Sequence, residues 1–128
     1  MALRVLLTVA AIYTALAGLA FIFAPQAAGT GAVPADASPA LIAHLRILGS
    51  PLLGIAALDW MARSAGPSRA RDAIILGNIV GFGAIAALDL WGLVSGARPL
   101  TQVFAVIHLL FALAFIWVGR KSMSGQAS

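Results

Sequence analysis

Apolar residues fall in four long runs, 4–24, 40–62, 72–94 and 99–119, separated by short segments rich in Pro, Gly, Ser and Arg. About 20 residues rising 1.5 Å each cross a hydrocarbon core of roughly 30 Å, so each run predicts a membrane-spanning helix. Turn formers fill the gaps. Residues 25–39 contain Pro25, Pro34 and Pro39 with Gly29 and Gly31, and Ser38-Pro39 reads as an N-cap followed by the first helical position. Gly66-Pro67-Ser68 and Gly96 with Pro99 mark the remaining breaks. The expected fold is all-α: an integral membrane four-helix bundle, with residues 1–128 as a single transmembrane domain. Arg4 ahead of an apolar run with Ala15 to Ala17 also fits a secretory signal, but the run exceeds the roughly 7 to 15 residues of a signal core and is read as a helix.

Composition strengthens this picture. Hydrophobic residues make up 62% of the chain and charged residues 9%, far from the roughly 45–50% and 25% of soluble domains. The few charges set an orientation. If the N-terminus is cytoplasmic, Arg4, Arg63, Arg69, Arg71, Arg120 and Lys121 share its side while Arg98 lies opposite. Positive residues accumulate on cytoplasmic flanks, so both termini are expected in the cytoplasm and the chain in a cell inner membrane. Trp60, Trp117 and Trp91 fall near helix ends, where aromatic belts form. The same asymmetry argues against the dual-topology arrangement of small multidrug transporters and fluoride channels. The basic balance points to lipid headgroups rather than nucleic acid, because its residues sit at membrane flanks. With no cysteine, disulfide, thiolate-metal and thiol redox chemistry are excluded.

Polar groups inside the runs carry the functional expectations. Arg46 and Asp89 lie at matched depths of ~8 to 9 Å from the outer surface. An ionised group costs about 3 kcal/mol there and normally faces the bundle interior. An Arg46–Asp89 ion pair that fixes packing, a substrate or proton site, and an Arg46 that snorkels to headgroups all satisfy that demand. Asp59 is one turn before Arg63, which suggests an i, i+4 pair, and Asp72 suits the positive end of a helix. Asn78 shares a stripe with Phe82, Ile85 and Asp89, as packing glue or as the wall of a polar track. His108 lies near the midplane beside Phe104, Phe111 and Phe115, and His44 lies near the outer end of the second run. The two histidines raise haem ligation, although depths ~7 Å apart strain a single bis-imidazole haem. Tyr13 reads as a packed tyrosine with a backbone partner and His108 as a hydrogen-bonded core residue, or Tyr13 reaches His108 or Asp89, giving a candidate cluster of Tyr13, Arg46, Asp89 and His108, with His44 and Asn78 secondary. No cofactor is required by the sequence.

Two further patterns bear on packing. Ile55-Ala56-Ala57-Leu58-Asp59 recurs as Ile85-Ala86-Ala87-Leu88-Asp89, and antiparallel neighbours would place the copies at opposite membrane faces. Small residues four apart, Ala10, Thr14 and Gly18, then Ser50 and Gly54, then Gly77 and Gly81, are expected to let helices approach closely. Pro51 removes an N–H in the second run and should kink it.

Phe23-Ala24-Pro25, Leu45-Arg46-Ile47-Leu48-Gly49, the Arg-rich loop and Ile107-His108-Leu109-Leu110 together resemble small bacterial inner-membrane proteins of the DoxX-like type. That resemblance implies a four-helix bundle and highlights Arg46 and His108; it implies no established reaction. The leading expectation is an accessory, assembly or structural subunit of a membrane complex or a homo-oligomer. Its alternative is a small membrane enzyme or carrier that binds a hydrophobic ligand (lipid, isoprenoid, quinone or haem) in the outer-half cluster. A proton-coupled transporter is third.

Overall fold

The computed structural model describes residues 1–29, 32–96 and 101–124, leaving aside the side chains of Thr101 and Ser124. It contains helices α1 (Ala2–Phe23), α2 (Pro25–Ala28), α3 (Pro39–Ala62), α4 (Arg69–Ser95) and α5 (Thr101–Ser124), with no strand among the described residues. Four of these helices are long and apolar enough to cross a membrane. Each covers one of the expected runs to within a few residues. The short α2 was not expected; Pro25 opens it at a position where a missing N–H costs nothing. Arg98 and Pro99 lie outside the described residues.

Local chemistry sets the helix ends. Ser38 Oγ accepts from the Leu41 N–H at 3.2 Å with Pro39 in the first turn, and Ser68 Oγ accepts from the Arg71 N–H at 3.3 Å. Each cap satisfies a backbone donor that the helix leaves orphaned. Gly96 ends α4 at φ 67°, the left-handed conformation that favours glycine. Pro51 lies inside α3, which continues through it from Pro39 to Ala62.

The helices pack as two pairs, α1 with α3 and α4 with α5. Buried positions on α4 (Arg71, Ile75, Asn78, Phe82, Ala86, Asp89, Gly92) advance in steps of three and four. On α5, Ala105, His108, Ala112, Phe115 and Gly119 do the same, giving an antiparallel seam of coiled-coil type. Large apolar residues such as Val9, Leu16, Ile47, Val80, Leu88 and Leu110 point outward. Lipid tails solvate those side chains as well as a protein core would, so the interior is left to small, aromatic and polar residues. Asp59 is among the most completely buried side chains, with Phe115, Leu7 and Ile75.

Close approach occurs at Gly18, one of the small residues expected to pack, and at Gly49, which was not among them. A Cβ on Gly49 would stand 2.5 Å from the Gly18 carbonyl oxygen, and one on Gly18 would stand 2.9 Å from the Gly49 oxygen. The α1 and α3 backbones therefore touch. Gly54, Gly77 and Gly81 have open space where a side chain would go, which corrects their assignment as packing residues. Gly77 and Gly81 each stand one residue, about 100° of rotation, from the buried Asn78 and Phe82. Gly49→Ala is expected to destabilise the detergent-solubilised protein by about 1–3 kcal/mol through overpacking. Gly77→Ala and Gly81→Ala should leave its unfolding midpoint unchanged or raise it, and the reverse order would refute this packing.

Candidate functional site

The buried face of α4 brings Asp89 against α5, and His108, on the seam of α5, meets it there. His108 Nδ1 lies 2.5 Å from Asp89 Oδ2, and His108 Nε2 lies 2.7 Å from Tyr13 Oη. A carboxylate only accepts, so Nδ1–H donates to Asp89; a neutral imidazole then accepts at Nε2 from the Tyr13 hydroxyl. The chain Tyr13→His108→Asp89 thus carries a defined direction. Both residues of the His108–Asp89 pair are buried. Rings hold the imidazole in place: Phe104 stacks on it with centroids 6.1 Å apart, and Tyr13 meets it edge-on at 5.8 Å.

Three of the four residues expected in the outer cluster therefore come together, and Arg46 does not. Arg46 is exposed and makes no ion pair or hydrogen bond among the described residues. The expected Arg46–Asp89 pair fails for a packing reason. α3 lies along α1 and touches α4 only sparingly, while Asp89 faces α5. His44 is exposed as well. Both ring nitrogens of His108 are engaged in hydrogen bonds, so haem ligation there would require breaking one of them.

The chain opens onto a cavity of about 620 Å³. Its polar lining consists of Tyr13, Thr14, Asp89 and His108; apolar lining residues include Ala17, Ala20 and Phe21 of α1, Ala27 and Ala28 of α2, Leu52 of α3 and Phe104 of α5. Thr14 spends its hydroxyl proton on the Ala10 carbonyl at 2.8 Å. The volume falls inside the roughly 300–1,000 Å³ of small-molecule sites. The unexpected α2 is what closes one part of the wall.

A second polar contact lies toward the end of the bundle where α1 begins and α3 ends. Asn78 Nδ2 donates to Asp59 Oδ1 at 2.6 Å and to the Ile74 carbonyl at 3.0 Å. The expected Asp59–Arg63 pair is absent. Arg63 turns outward, with its guanidinium 3.5 Å from the Trp60 ring centre and a hydrogen bond to the Trp60 carbonyl. Arg71, buried one turn into α4, donates to Ser122 Oγ at 2.9 Å and pairs loosely with Asp72 at 4.0 Å. The role of Asp59 as a buried acceptor was missed from the sequence, and the internal repeat was the signal that could have found it. Asp59–Asn78 and Asp89–His108 are each separated by 19 residues, and both members shift by the 30-residue offset of the repeat.

No family model matches the chain, and no curated protein or solved structure is found similar to it.

Removing the imidazole with His108→Ala strands a buried carboxylate and should cost about 3–5 kcal/mol. Tyr13→Phe removes one hydrogen bond and should cost about 1 kcal/mol. Arg46→Ala should change stability by less than about 0.5 kcal/mol. Unfolding in detergent measures all three, and an Arg46→Ala loss as large as that of His108→Ala would restore the ion pair rejected above.

Proposed function

We propose that the protein binds a hydrophobic small molecule that carries one polar end, a hydroxyl, and that this end seats on the Tyr13–His108–Asp89 chain. The observation that carries this reading is the concentration of polar groups at one part of an otherwise apolar cavity. A long apolar body suits the walls contributed by α1, α2 and α5, and an isoprenoid alcohol or a lipid of similar build has that form. The hydrogen-bonded chain suits a hydroxyl end because Tyr13, its proton donated to His108, offers its oxygen as an acceptor, and the buried carboxylate behind His108 stabilises any positive charge the imidazole takes up. In this reading His108 and Asp89 position and tune Tyr13, and the same arrangement can serve binding, transport or acid/base chemistry on the bound molecule.

The second reading, an accessory subunit or a homo-oligomer, rests on α3. Its most apolar window is 11% buried against 28% in each of the other three spanning helices, and it exposes His44 and Arg46. A partner helix or a second copy covering this face would shelter them. In either reading the basic flanks favour an inner membrane with both termini in the cytoplasm.

One purification in mild detergent tests both. Mass spectrometry of the extracted protein should find a tightly held lipid, and farnesol should raise the unfolding midpoint. Ala20→Phe, which fills the cavity and leaves the polar chain untouched, should abolish that shift. A protein that carries no lipid and ignores farnesol sinks the ligand reading, and a stoichiometric co-eluting protein supports the subunit reading.

A further inference from the structure

The Asp59–Asn78 contact is the repeat counterpart of the Asp89–His108 contact, but its chemistry differs. Asn78 donates its amide N–H groups to Asp59 Oδ1 and to the Ile74 carbonyl, which fixes the orientation of the amide and leaves its oxygen an acceptor. Asp59 Oδ2 and Asn78 Oδ1 are both buried and have no hydrogen-bond partner. Two groups joined by a 2.6 Å hydrogen bond thus each keep one buried oxygen with no donor for it.

Charge is unmatched there too. Asp59 is 0% exposed. The two arginines nearest in the sequence are engaged elsewhere: Arg63 lies on the Trp60 ring, and Arg71 serves Ser122, the Ala65 carbonyl and Asp72, although its Nε is itself buried without a partner. An isolated carboxylate buried in low dielectric is expensive unless a positive charge joins it. Where the second nitrogen of His108 finds Tyr13, the second polar atom of Asn78 is a hard carbonyl oxygen with no partner.

We propose that Asp59 and Asn78 form an internal site for one small monovalent cation, a sodium ion or a proton carried with a water. Such an occupant answers both needs at once, compensating the carboxylate and using the two bare oxygens. Hard cations take oxygen ligands of this kind. A single carboxylate matches one positive charge, and no group of three or more metal-binding side chains occurs among the described residues to favour a transition metal.

The test uses the full chain in detergent, with sodium chloride exchanged for choline chloride at constant ionic strength. Sodium should raise the unfolding midpoint saturably, by about 5 °C or more at saturation, and should broaden the ²³Na resonance in a manner that lithium competes. Asn78→Ala should weaken both effects at least tenfold, and Asp59→Asn should abolish them. If sodium has no effect, an infrared band of a protonated carboxyl at neutral pH that Asp59→Asn removes assigns the site to the proton. The proposal is overturned if wild type shows neither sodium dependence nor that band. Because the resonance and infrared measurements on wild type need no variant, a misfolded Asp59→Asn protein leaves the proposal open to refutation.

Discussion

A polar side chain within a membrane-spanning bundle has no water to turn to, and the arrangement of this protein follows from where its few polar groups find partners. The helices form two intimate pairs, and the side-chain hydrogen bonds between the pairs include Tyr13 to His108 and Asn78 to Asp59. Apolar contact cannot choose one mutual position of the pairs over another, because lipid competes for every Leu and Val on their surfaces. Directional bonds can. Each bond also ties down a buried carboxylate, directly at Asp59 and through the imidazole at Asp89, so loss of register between the pairs would strand a charge.

The internal repeat gives these links a common origin in geometry. A shift of 30 residues carries Asp59 onto Asp89 and Asn78 onto His108, and with them the buried Ala56 onto Ala86 and Ile75 onto Ala105. Successive helices run in opposite directions, so the two carboxylates face opposite ends of the bundle. The same plan, an aspartate from one helix held by a polar residue on the next, is built twice and filled with different chemistry. One version gained an imidazole and a tyrosine from α1, together with a cavity; the other kept an amide.

Much of this was legible in the chain. The four spanning helices, the cap at Ser38 and the reach of Tyr13 to His108 follow from run length, capping chemistry and depth, whereas Ser68, which also caps a helix, reads only as part of a break. Depth alone misled at Arg46, since two residues at one level pair only if their helices face each other, and α3 turned toward α1. Sequence proximity misled at Asp59, where the i+4 arginine found an aromatic face and a carbonyl at the surface while the carboxylate turned inward. Small-residue spacing misled at Gly54, Gly77 and Gly81 because a stripe of glycines says that helices can approach, and the rotation of each helix decides whether they do. The fold of α2 over the cavity depended on a segment whose turn formers suggested only a loop.

Between the two polar stations lies a block of rings, with Phe82 stacked on Phe111 at 4.5 Å and on Phe115 at 5.9 Å. Asn78 and Asp89 stand eleven residues apart on α4, or about 16 Å along its axis. At an effective dielectric constant near 20, two unit charges that far apart influence each other by only about 1 kcal/mol. The aromatic block therefore acts as a bulkhead, holding apart one polar contact that borders a cavity and one sealed in packed protein, so that a change at either is felt only weakly at the other.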